Sequence, residues 1–89
     1  MTTGLTFPNS SRSYDPDHGR IRFVGHDGMF QISFSITTDA ISRKRFDGAD
    51  AERDYLATFD ASRSFVQAVA AKAYGRTRKT TYALTAADV

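Results

Sequence analysis

The run Arg20-Ile21-Arg22-Phe23-Val24-Gly25-His26-Asp27-Gly28-Met29-Phe30-Gln31-Ile32-Ser33-Phe34-Ser35-Ile36 decides the fold. A strand sends successive side chains to opposite faces, so its apolar residues recur at every second position. Ile21 and Phe23 alternate with Arg20 and Arg22. Further on, Phe30, Ile32, Phe34 and Ile36 alternate with Gln31, Ser33 and Ser35. Between the two runs stands Asp27-Gly28, the dipeptide that favours a tight hairpin turn. The reading is an antiparallel hairpin with one apolar and one polar face. The apolar face then needs a second layer to cover it.

Upstream, Leu5-Thr6-Phe7 reads as a short edge strand stopped by Pro8, which has no N–H to give a ladder. Residues 9–19 read as a loop rich in turn formers, including Asp15-Pro16 and His18-Gly19. Downstream, Thr37-Thr38-Asp39 are helix-capping residues, and Ala40 to Phe46 is expected to form a short helix ended by Gly48. A longer helix starts at Asp50, where Glu52 and Asp54 complement the positive end of its dipole. Its apolar stripe is Tyr55, Leu56, Phe59, Val66, Val69, Ala70 and Ala73. Gly75 is expected just past its end, with Lys72 in the last turn. Unbroken from Asp50 to Tyr74 it would span about 37 Å, against a radius of gyration of about 12 Å for a domain this size. A break is therefore expected near Asp60-Ala61-Ser62. A final strand runs from Thr80 to Leu84, with Tyr82 and Leu84 on its inner face.

The order along the chain is β-β-β-α-α-β. It predicts an α+β two-layer sandwich: an antiparallel sheet of three to four strands covered on one face by helices. Residues 1–89 form one domain, since so short a chain has no room for two cores. The patterning leaves open which edge the last strand joins, and whether the strand Phe30–Ile36 is itself an edge open to pairing with another chain.

Composition narrows the function by exclusion. The chain has no cysteine, which removes disulfides, thiol chemistry and Cys-ligated metals and fits a reducing cytoplasm. Residues 1–8 lack a basic start and an apolar run, so no secretory signal is expected, and no apolar stretch is long enough to span a bilayer. Forty per cent apolar residues, with seven Phe and four Tyr, supply enough bulk for a folded core.

Candidate chemistry is sparse. His18 and His26 are the only histidines, both in expected turns, and no nucleophile elbow is present. His26 beside Asp27 is the one weak catalytic pair. Asp15-Pro16-Asp17-His18-Gly19 opens like a calcium loop but has no bidentate Glu until Glu52, so it reads as a turn. Gly25-His26-Asp27-Gly28 lacks the lysine and helix start of a phosphate cradle. The expectation is a protein with no enzymatic activity, no metal and no cofactor.

Charge is the nearest thing to a functional signal. The formal net charge is +2, yet residues 1–60 carry seven cations and nine acids, while residues 61–89 carry five cations and one acid. Arg63, Lys72, Arg76, Arg78 and Lys79, with Tyr74 and Tyr82 among them, form a candidate polyanion or partner surface. Cations near a helix C-terminus also suit its dipole with no partner at all, and that structural reading carries more weight. Arg63 falls on the apolar stripe, so it either lays its methylenes along the core or pairs with Asp60 or Asp15.

Taken together, Leu5-x-Phe7-Pro8, Ser13-Tyr14-Asp15, Ile21-x-Phe23-x-Gly25-x-Asp27-Gly28, Phe34-x-Ile36, Asp39-Ala40-Ile41, Phe59-x-x-x-Arg63, Ala70-x-x-x-Tyr74 and Tyr82-x-Leu84-Thr85-x-x-Asp88 resemble the bacterial family of short proteins called domain of unknown function 1488. The resemblance covers nearly the whole chain. Members often end in Asp-Phe where this chain has Asp88-Val89. It implies an α+β domain of a bacterial cytoplasm with no assigned activity, and supplies no catalytic residues. The expected function is a binding or accessory module, acting on an unknown protein partner or on a second copy of itself. Weak nucleic-acid binding through the basic C-terminal third is the alternative, and no membrane association is expected.

Overall fold

A computed structural model describes residues 5–8 and 10–89. Five strands and three helices follow in the order β1 (Leu5–Thr6), β2 (Arg12–Asp15), β3 (Arg20–Asp27), β4 (Phe30–Thr37), α1 (Thr38–Ile41), α2 (Ala51–Ala61), α3 (Arg63–Thr77) and β5 (Thr81–Leu84), closed by a 3-10 turn at Ala86–Asp88. The fold is α+β, with the helices on one face of the sheet.

The hairpin forms as its alternation dictates. β3 and β4 pair antiparallel with Ile21 opposite Ile36, Phe23 opposite Phe34 and Gly25 opposite Ile32. Gly28 takes φ +62° at the first turn position while Met29 keeps negative φ, as a two-residue turn of the II′ kind requires. Ile21, Phe23, Ile32, Phe34 and Ile36 are all buried. Phe30 lies on the same side of the strand but is 71% exposed, because it stands at the tip of the hairpin.

Several expectations need correcting. The sheet has five strands and is mixed rather than purely antiparallel: β5 runs parallel to β4, with Phe34 opposite Tyr82 and Ile36 opposite Leu84. The helical layer explains this. α2 begins near the base of the hairpin, where Tyr55 stacks on Tyr14, and α3 ends at its tip, where Tyr74 meets Asp27. The chain is thus returned to the starting end of β4, and the next strand must run the same way, as in any crossover through helices. Strand β4 is therefore interior, with β5 at one edge of the sheet and β1 and β2 at the other.

Arg12–Asp15 is a strand, not loop. It pairs with β3 along the edge that β1 also occupies, with Arg12 opposite Phe23 and Tyr14 opposite Ile21. Four residues with a single apolar side chain give no readable period, so only the pairing with β3 makes them a strand. The short helix is one turn, Thr38–Ile41, instead of Ala40 to Phe46. Phe46 is instead drawn inward, its ring edge-on to Tyr55 at 4.9 Å and its N–H donating to Tyr55 Oη at 3.0 Å.

The long helical stretch breaks at Ser62, within the expected Asp60–Ser62 window. Its far end overruns expectation. α3 passes through Gly75 to Thr77, and the left-handed position that ends it is Arg78 (φ 53°, ψ 41°), whose N–H reaches Tyr74 O at 3.0 Å. From the helices Tyr55, Phe59, Val66, Ala70 and Tyr74 complete the core, joined by Leu84 from β5. Gly25 lies inside β3, and Leu5 and Phe7 pack directly over it.

Candidate functional site

Period-2 alternation also decides what the sheet shows on its other side. Arg20, Arg22, Ser33, Ser35 and Ala83 point away from the helices and line, with Ser13 and their neighbours, an open concavity of about 520 Å³. Among the described residues, those that line it belong to strands, apart from Ser11. Its floor is made of Val24 and the small side chains of Ser33, Ser35 and Ala83, and its rim carries guanidinium groups.

Those groups converge on one carboxylate. Asp15 Oδ2 accepts from Arg22 Nη2 at 3.1 Å and Arg20 Nε at 3.3 Å, and lies 2.9 Å from His18 Nδ1. Partial burial pushes the Asp15 carboxyl upward, yet the hydrogen bonds and positive charge of His18, Arg20 and Arg22 outweigh it and hold the group below its ordinary value. Two arginines against a single acid leave the face cationic. The segment that resembled a calcium loop is this β2–β3 turn, with Gly19 at φ +58° and the Asp15 carboxylate already engaged by cations.

The five cations singled out in the C-terminal third do not form one surface. Arg63 leaves the group: its Nη2 meets Asp60 Oδ1 at 2.6 Å, and its guanidinium lies 5.1 Å from the centre of the Phe59 ring. Arg12 grips the same carboxylate from β2, through Nε at 3.0 Å and Nη2 at 2.8 Å. The hydrogen bonds from Arg12 hold Asp60 below the ordinary carboxylate value despite partial burial, with Arg63 adding to the effect. This cluster pins β2 to the junction of α2 and α3, so its role is structural. Of Arg63's two expected partners, Asp60 is the real one.

Lys72 and Arg76 are exposed and one turn apart on α3, with Lys79 exposed just beyond its end. Arg78 lies over the Tyr74 ring at 5.2 Å and 3.9 Å from Asp27 Oδ2. Neither tyrosine expected among these cations is available for stacking on a ligand. Tyr74 is 6% exposed and donates to Asp27 Oδ2 at 2.5 Å, and that hydrogen bond, with burial, raises its pKa. Tyr82 stacks on Phe34 at 5.3 Å, and its hydroxyl accepts from Lys79 N at 2.8 Å.

His26 and Asp27 point to opposite faces of β3, as neighbours on a strand must. Asp27 turns to the helix side and Tyr74, while His26 faces the open side. His18 lies in the turn between β2 and β3, beyond the other end of the same strand. Among the described residues no group of three or more His, Cys, Asp or Glu could hold a metal ion, and no helix is long and apolar enough to cross a membrane. Reading the sequence missed the outward pair Arg20 and Arg22, although the same alternation that buries Ile21 and Phe23 places them on one face.

No characterised protein and no solved structure matches this chain. The family described as "Protein of unknown function (DUF1488)" matches residues 5–85, almost the full length of the chain and every strand and helix of the fold. The chain belongs to that family of unknown function.

Proposed function

We propose that this protein is a non-enzymatic binding module whose uncovered sheet face docks an acidic segment of a partner protein. The observation that carries the reading is the composition of that face. Small side chains at Ser33, Ser35 and Ala83 let another backbone approach closely, and Arg20 and Arg22 border them with positive charge. Arginines at such a border favour carboxylates, which they grip in two places at once. A second copy is the poorer occupant, because it would lay Arg20 and Arg22 against their own equivalents. The module needs no cofactor in this reading, and the cysteine-free composition suits a bacterial cytoplasm.

Paired affinity captures test it. Arg22→Glu with Ser33→Gln replaces a border cation by an acid and fills the floor, both at exposed positions that leave the core intact. A partner identified by mass spectrometry on wild type should vanish with this double variant and persist with Lys72→Ala/Arg76→Ala. Purified, it should bind through an acidic segment, more weakly as salt rises. Equal retention by all three proteins refutes the reading.

A further inference from the structure

The hairpin tip and the end of α3 are far apart in sequence and adjacent in space. Asp27, the last residue of β3, holds the Tyr74 hydroxyl at 2.5 Å, with Arg78 Nη1 3.9 Å from the same oxygen. Directly opposite Asp27 across the hairpin is Phe30. Paired residues on one face of a sheet have Cβ atoms about 5 Å apart, so the side chains of Phe30 and of Asp27, which Arg78 approaches, start from neighbouring positions at the hairpin tip. Phe30 is 71% exposed and Met29 fully exposed. Lys79 follows Arg78, and Arg76 and Lys72 continue the positive charge along α3, with no acid in sequence between Asp60 and Asp88.

From this juxtaposition we infer a second binding surface, independent of the sheet face: Phe30 is a stacking platform for a base of single-stranded nucleic acid, and Arg78, Lys79 and Arg76 neutralise the phosphates beside it. Single-strand binders combine these two elements, a cationic track and an exposed aromatic ring, and read little sequence. Charge complementarity selects a polyanion. The form of the apolar part selects a nucleic acid, for one exposed ring at a hairpin tip that a cationic helix end approaches through Asp27 fits a base. A bilayer surface calls for a whole apolar helix face. Tyr74 and Tyr82, the aromatics within the basic segment itself, are occupied in the fold, so the ring comes from the hairpin instead.

Fluorescence anisotropy with a short labelled oligothymidylate, its duplex form, and vesicles of phosphatidylcholine with phosphatidylserine tests this on the full chain. The single strand should bind best at low salt, and log affinity should fall against log salt with a slope of about −2 for three phosphates neutralised. Phe30→Ala should weaken it by about ten-fold or more, the loss expected for one stacked base. Arg78→Ala/Lys79→Ala should flatten the salt dependence. Phe30→Leu keeps an apolar tip without a ring and should behave like Phe30→Ala. All these positions are exposed, and thermal melts of each variant confirm folding. No binding at low salt, binding indifferent to Phe30→Ala, or vesicle binding that survives Phe30→Leu overturns the inference. Arg22→Glu with Ser33→Gln should leave oligothymidylate affinity within about two-fold apart from its general effect on net charge, which separates this surface from the sheet face.

Discussion

Replacing Gly25 with alanine should destabilise the protein, although chain entropy alone argues the opposite. Gly25 has no left-handed φ, so alanine can adopt its backbone conformation. At such a site, removing a glycine normally stabilises a protein by about 0.4–1 kcal/mol through the unfolded chain. The surroundings reverse the sign. A β-carbon at Gly25 would lie 3.0 Å from Leu5 Cδ1, 3.0 Å from Phe7 Cε1 and 3.3 Å from Phe34 Cε2, where carbon atoms prefer about 3.5–4.0 Å. Phe34 is held between Phe23 at 5.2 Å and Tyr82 at 5.3 Å and has nowhere to go. Leu5 and Phe7 must move, and with them β1, a two-residue strand paired to Asp27 and His26. Overpacking of this kind costs about 1–3 kcal/mol, so the net loss should be about 1 kcal/mol. Urea titration reads it directly: with a slope of about 1 kcal/mol/M, the midpoint falls by about 1 M. Leu5→Ala vacates part of the space, and in that background Gly25→Ala should cost less, a coupling that a double-mutant cycle measures. A midpoint that rises in the single variant, or a cycle without coupling, would refute the packing of β1 over Gly25.

Two more outcomes follow from the charge clusters and from the end of α3. Asp60 and Asp15 are both held below the ordinary aspartate value, so each favours the folded state when ionised. That contribution is fully present above the aspartate range near pH 4 and is lost as pH falls through the depressed folded values. Urea midpoints measured as the pH is lowered should therefore decline, and Asp60→Asn should be less stable at neutral pH and show a shallower decline. Arg78→Gly relieves a left-handed backbone at a non-glycine residue (φ 53°), a strain of about 1 kcal/mol or more. Its melting temperature should rise while oligothymidylate affinity falls; a fall in both would mean that the Arg78 contacts with Tyr74 and Asp27 outweigh the strain.

The sequence by itself determined the elements whose information is local. Alternation from Arg20 to Ile36 specified the hairpin and its buried residues, because a strand's period is visible within a few positions. Helical spacing specified Tyr55, Phe59, Val66 and Ala70 as core, and the capping residues around Asp60–Ser62 marked the break at Ser62. Tertiary structure decided whatever depends on distant partners. β2 is a strand because β3 lies beside it, and β5 is parallel because two helices carry the chain back along the hairpin before it begins. The candidate surfaces divide in the same way. Arg20 and Arg22 are legible as an outward pair from alternation alone, whereas nothing local ties Phe30 to Arg78. That link needs the hydrogen bond between Asp27 and Tyr74, forty-seven residues apart. A contact of such separation leaves no periodic trace in a single sequence, because it is set only once helix and sheet share one core.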